Sequence, residues 1–99
     1  MFDYQILDPG IRDTVRRVHE AGFETTDSGD GVSKPADGMV FPFPHVAAVT
    51  APGTIIADAQ RLAAVLGPDW LVEAVYQTLT QSALLFARTL FDEERAAAS

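Results

Sequence analysis

Between positions 25 and 46 the chain gathers most of the side chains that could do chemistry. Asp27, Ser28, Asp30, Lys34, Asp37 and His45 are interleaved with Gly29, Gly31 and Gly38, and Phe41-Pro42-Phe43-Pro44 precedes the histidine. Two glycines in three residues, Gly29 and Gly31, permit positive φ and close backbone approach. We read 27–38 as one long polar loop. Long loops in small domains tend to carry function, because a rigid frame can place a few polar groups there. The candidate ligand-binding set is Asp27, Ser28, Gly29, Asp30, Gly31, Lys34, Phe43 and His45.

Three chemistries compete for these residues. Asp27, Asp30, Asp37 and His45 include hard metal ligands, but a calcium loop starting at Asp27 would have Gly38 where its closing glutamate belongs. No metal is assigned. Ser28 and His45 are raw material for nucleophilic catalysis, yet the Gly-x-Ser-x-Gly elbow is absent and nothing marks an oxyanion hole. No catalytic residue is assigned, and a small enzyme using Asp27, Ser28, Asp30 and His45 stands as the rival reading. A Ser-Gly-Asp-Gly loop offers backbone N–H groups, Lys34 offers charge, and Phe43 a surface on which a base can stack. That combination favours a small nucleotide-like ligand or a protein partner. Gly29 and Gly31 do not open a helix, so neither the dinucleotide nor the P-loop pattern is present, and no cofactor is implied. His19 closes a helix, where a cation suits the dipole.

The elements that must position this segment are legible on both sides of it. Asp8-Pro9 is a helix start, and Ile11, Val15 and Val18 share one face, so a helix is expected over 9–21. Gly22 is a left-handed C-cap, and Phe23 just beyond it can pack back on Val18. Residues 2–6 alternate as a short strand or extended arm, 23–26 read as a strand, and 45–50 as another. Thr54 caps a second helix with Ile55, Ala59, Leu62 and Leu66 in a stripe, Asp58 and Arg61 outside it, and Gly67-Pro68 as its stop. The aromatic and β-branched density of 70–77 and 83–88, with a polar stretch between, favours two strands over one helix. The tail 91–99 is expected to be frayed. The order is then (β)-α-β-β-α-β-β: one α+β domain over 1–99, an antiparallel sheet with two helices on one face.

Composition bounds the partners. With 14 acidic and 7 basic residues the net charge is −7, which disfavours direct nucleic-acid binding. It leaves open an acidic mimic of nucleic acid that blocks a basic partner protein. There is no cysteine, no apolar run long enough for a membrane span, and no secretory leader, so a cytoplasmic protein is expected. Apolar content on Trp70, Val72, Leu84 and Phe86 exceeds what two helices can cover, which points to a homodimer that buries one sheet face or pairs edge strands.

The run Gly22-Phe23, Thr25-Thr26, Ser28-Gly29 and Gly31, followed by Pro44-His45-Val46, resembles small uncharacterised proteins of phages and actinobacteria. It is also similar to the Gly-Phe-x-Thr-x-x-Ser-Cys-x-Gly pattern of the wybutosine-synthesis methyltransferase-like family, with Gly29 standing where that family has cysteine. The resemblance implies an α/β topology with a loop-borne site. The phage likeness implies an accessory or anti-defence role. The resulting expectation is a small non-catalytic binding module that works through the 26–45 loop.

Overall fold

A computed structural model describes residues 3–31, 43–77 and 82–98. Their order is α1 (Arg12–Glu20), β1 (Thr25–Gly29), β2 (His45–Thr50), α2 (Ile55–Leu66), β3 (Trp70–Gln77), β4 (Ser82–Thr89) and α3 (Asp92–Ala98), preceded by two 3-10 turns at Tyr4–Ile6 and Pro9–Ile11. The α+β class holds. All strand pairs are antiparallel, in the spatial order β1-β2-β4-β3.

The apolar stripes read from the sequence are the core. Ile11, Val15 and Val18 from the first helical segment meet Leu62 and Leu66 of α2, and both sets pack with Val46, Ala48, Leu85 and Ala87 of the central strands. Ile55, Ala59, Trp70 and Val72 are half-buried around that cluster. α1 ends as its sequence requires. Gly22 has φ +94°, the Gly22 N–H donates to His19 O at 2.9 Å, and the Phe23 N–H donates to Val18 O at 3.2 Å. These two bonds are the Schellman pair, and they turn Phe23 into the core beside Val18. The Arg61 guanidinium lies 4.2 Å from the centre of the Phe23 ring and donates to Ala21 O, so α2 seals the end of α1.

Several expectations need correction. Residues 2–6 were expected as a strand or extended arm, but Tyr4–Ile6 is a 3-10 turn. The Asp3 carboxylate accepts the Gln5 N–H, and the Arg12 side chain donates to Gln5 O and Leu7 O, so local hydrogen bonds replace a ladder. The helix expected over 9–21 begins as a 3-10 turn and becomes α-helical only at Arg12. Asp8 makes no side-chain cap to it. Thr54 is the N-cap residue of α2 but does not cap with its side chain. Its hydroxyl donates to Asp58 Oδ2, as does that of Thr50, while Arg61 donates to Asp58 Oδ1. Asp58 is therefore no free outward aspartate. The Thr50 and then the Thr54 hydrogen bond hold its carboxyl below the usual carboxylate range. In the tail, residues Asp92–Ala98 form α3.

Leu62 is fully buried in mid-stripe. Leu62→Ala should cost about 2–5 kcal/mol. Ile56→Ala on the outer face of the same helix should cost within about 0.5 kcal/mol. Urea melts compare the two, and coincident midpoints would show that the helix face is misassigned.

Candidate functional site

Pairing decides where the candidate residues go. β1 and β2 form an antiparallel pair with Asp27 opposite Ala47, Ser28 opposite Val46 and Gly29 opposite His45, with an irregularity between Thr25 and Asp27. Residues 27–29 thus belong to a strand and not to the long loop that their composition suggested. Polar side chains with weak strand propensity are held there because β2 supplies the partner edge. Alternation then separates them. Ser28 shares its side of the sheet with Val46, which lies in the core cluster. Asp27 and His45 project to the other side. Ser28 and the imidazole therefore lie on opposite faces of the sheet.

His45 is 5% exposed and Asp30 is 8% exposed. The His45 ring stacks on Phe86 at 5.8 Å between centres and meets Phe43 edge-on at 6.2 Å. Its Nε2 faces Asp27 Oδ2 at 3.3 Å, and its Nδ1 lies 3.3 Å from Phe43 O. Both ring nitrogens are turned toward protein oxygens, so the imidazole acts as a brace between β1 and the residue that enters β2.

Asp30 braces the other side. Its Oδ2 accepts the Gly10 N–H at 3.2 Å, and its own N–H donates to Asp8 Oδ2 at 3.2 Å. The exchange has the logic of a capping box, split between the entry to α1 and the end of β1. It needs close approach. A methyl group on Gly10 would lie 2.8 Å from Asp30 Cβ, and one on Gly29 would lie 2.7 Å from His45 Cε1. Gly31 has φ +84°, and a methyl group there would fall 2.7 Å from Phe43 Cα. The backbone therefore leaves at Gly31 and returns at Phe43 in contact with itself. Lys34, Asp37 and Phe41 lie outside the described residues.

A clamp backs Phe43. The Phe91 ring meets it at 5.6 Å, and the Arg88 guanidinium lies 4.1 Å from the centre of Phe91. Arg88 donates two near-parallel hydrogen bonds to Glu94, at 2.7 and 2.8 Å, and the Phe91 N–H donates to Glu94 Oε1 at 2.8 Å. The Arg88 hydrogen bond, then that of the Phe91 amide, lowers the Glu94 carboxyl to about 2. Nothing in the composition of the tail signalled this clamp; the signal available was Glu94 three residues after Phe91, an acidic residue in the first turn of a helix. His19 does more than suit the helix dipole. Its Nδ1 lies 2.9 Å from the Tyr4 hydroxyl and its Nε2 2.8 Å from Thr25 Oγ1, so it ties the first turn to β1.

Among the described residues no group of three or more His, Cys, Asp or Glu side chains could hold a metal ion, and no helix is long and apolar enough to cross a membrane. Comparison with known proteins gives no matching family model and no significant match among curated proteins or solved structures.

Two predictions follow from this geometry. Asp30→Ala should cost about 1–2 kcal/mol, the scale of a lost cap, and Asp27→Ala less than about 1 kcal/mol, because the Asp27 carboxylate is largely in water. Equal denaturant midpoints would show that Asp30 is no brace. The second concerns pH. Glu94 has a depressed folded pKa, about 2 against 4.5, so its clamp is fully present above pH 4.5 and is lost as pH falls through about 2. The Phe91 amide proton shift, followed by NMR, should titrate with a midpoint near 2. A midpoint at 4.5 would mean the carboxylate is not held.

Proposed function

We propose that the chain is a small non-catalytic binding module, and that it engages a small nucleotide-like ligand or a protein partner with the segment mounted between Gly31 and Phe43. The frame is an antiparallel sheet with α1 and α2 over one face and His45 on the other. The observation that carries the reading is the closed base. The stems touch at Gly31 and Phe43, and each is tied to the sheet or to the 3-10 turn before α1 by a buried polar side chain, His45 or Asp30. A fixed base presenting a segment that carries Ser33, Lys34 and Asp37 is an arrangement by which loops recognise ligands. The enzyme reading finds less support. Asp30 and His45 serve as braces, and Ser28 lies across the sheet from the imidazole.

The test compares the wild type with a variant in which 32–42 is replaced by a short Gly-Ser linker. Native mass spectrometry of each, and thermal shifts with ATP, GTP, AMP and cyclic dinucleotides, read out binding. The wild type should carry a bound species or gain Tm with at least one nucleotide, and the variant should fold and lose that response. A response that survives the replacement would move the site elsewhere. If neither a bound species nor a shift is found with the wild type, the nucleotide reading fails and the protein-partner reading goes forward to pull-down with the same pair of proteins.

A further inference from the structure

The sheet has a second feature independent of the 31–43 segment: β3 is an edge strand eight residues long, with no proline and one charged residue, Glu73. Its outer half carries exposed apolar surface, Val75 at 38% and Tyr76 at 53%. Edges of this length are ordinarily blunted by lysine, proline or a covering element, because their free N–H and C=O groups pair with other chains.

The hydrogen-bond phase of the edge can be read from its start. The Leu90 N–H donates to Asp69 O at 2.8 Å, next to the pair Trp70–Thr89. Antiparallel ladders alternate, so Leu71, Glu73 and Val75 also exchange bonds with β4. The backbone groups of Val72, Ala74 and Tyr76 then point away from the sheet. Trp70 would join them, but its N–H already donates to Gly67 O.

We propose that β3 pairs antiparallel with β3 of a second copy of this chain, with the two-fold axis at Ala74. Three constraints select this register. An odd shift would oppose an outward amide to an inward one and form no bonds. An axis at Glu73 would set Glu73 directly against the partner's Glu73, a destabilising like-charge pair. An axis at Val75 would keep fewer of the outward groups paired within the described strand. The Ala74 axis pairs Ala74 with its own copy and Val72 with the partner's Tyr76, so all three outward residues on each copy exchange hydrogen bonds. It places Glu73 opposite the partner's Val75, and Glu73 keeps the nearby Arg88 charge. The small side chain sits where the strands are symmetric, and the exposed Tyr76 ring gains a β-branched neighbour. A second copy suits this edge because the Ala74 axis pairs every outward amide of each copy, puts the small Ala74 side chains where the strands are symmetric, sets Tyr76 beside the partner's Val72, and keeps the two Glu73 carboxylates from lying directly opposite one another.

The chain has no cysteine, which makes the register directly testable. Residues in a hydrogen-bonded antiparallel pair have Cα atoms about 5.5 Å apart, within disulfide reach. Ala74→Cys should form a covalent dimer under mild oxidation, many-fold faster than Glu73→Cys or Val75→Cys. Wild type should sediment as a dimer in the micromolar range. Ala74→Pro should sediment as a monomer with an unchanged far-UV CD spectrum, because the Ala74 N–H takes no part in the β3–β4 ladder. Ala74→Lys provides a second charge-based disruption should the proline perturb folding. A monomeric wild type at high micromolar concentration overturns the proposal and leaves the edge to an extended segment of another protein. A dimer that persists in Ala74→Lys without Ala74→Cys crosslinking overturns it by placing the interface elsewhere. Neither result bears on the 31–43 segment, whose replacement leaves β3 intact.

Discussion

The reciprocal exchange between Asp8, Gly10 and Asp30 is the constraint on which the β1–β2 side of the molecule depends. Two carboxylates and two backbone N–H groups close a bridge between the start of the first helix and the end of β1. Asp30 is nearly excluded from solvent, so an orphaned N–H on either side would carry a desolvation penalty that a surface turn would not. The bridge sets where β1 stops. That in turn sets where Gly31 must turn, and a positive φ there brings the departing chain against Phe43. Without the bridge, β1 would be a short polar strand at the edge of the sheet, with little reason to hold its register.

The opposite side of the same stem is held by different physics. There the contacts are aromatic and ionic: Phe86 under His45, Phe43 against His45 and Phe91, and Arg88 joining Phe91 to Glu94. A bidentate Arg–carboxylate pair is worth more than an ordinary surface ion pair because its geometry is fixed and three hydrogen bonds converge on one carboxylate. Its effect is to hold α3, a helix too short to persist alone even with its alanines, on the far side of β4 from the main core. The stem is thus gripped between an apolar core shared by two helices and a small aromatic cluster closed by the third.

The sequence disclosed what repeats and what terminates. The stripes through Ile11, Val15 and Val18 and through Leu62 and Leu66 recur at helical spacing, and Gly22 and Gly67 mark ends that no other residue takes easily. The strand pair around Val72 and Leu85 was legible from β-branched and aromatic density. What stayed hidden depends on partners distant in sequence. Asp27-Ser28-Gly29 has turn composition, and only the ladder to Val46 and His45 makes it a strand. Asp8 looked like a cap for its own helix, but its carboxylate is drawn to the Asp30 amide more than twenty residues on. Asp58 looked solvated because its position lies off the apolar stripe, and the Thr50 hydroxyl that engages it comes from the preceding strand. In the candidate site the same effect is larger. Residue types named Asp30 and His45 as polar groups of interest, but their roles depend on burial, which local sequence does not encode.

Sheet order connects the two surfaces that remain. The spatial sequence β1-β2-β4-β3 puts the stem strands β1 and β2 at one side and the β3 edge at the other. Pairing along β3 would therefore produce a continuous sheet with β1 of each copy at its outer margins. Adjacent strands lie about 4.8 Å apart, and the antiparallel two-fold at Ala74 sets the two stems at opposite ends of the strands, so they would be separated by roughly 30 Å across the strands and roughly 30 Å more along them, before twist rotates them relative to one another. Such spacing is too wide for both segments to close over one nucleotide-sized ligand. It suits two independent small ligands, or one extended partner with two matching sites, and only the second gains from linkage of the copies through effective concentration. A dimer built this way thus shifts the balance between the two kinds of partner: it adds nothing to the affinity for a small molecule, and it multiplies the affinity for a repetitive or symmetric protein surface.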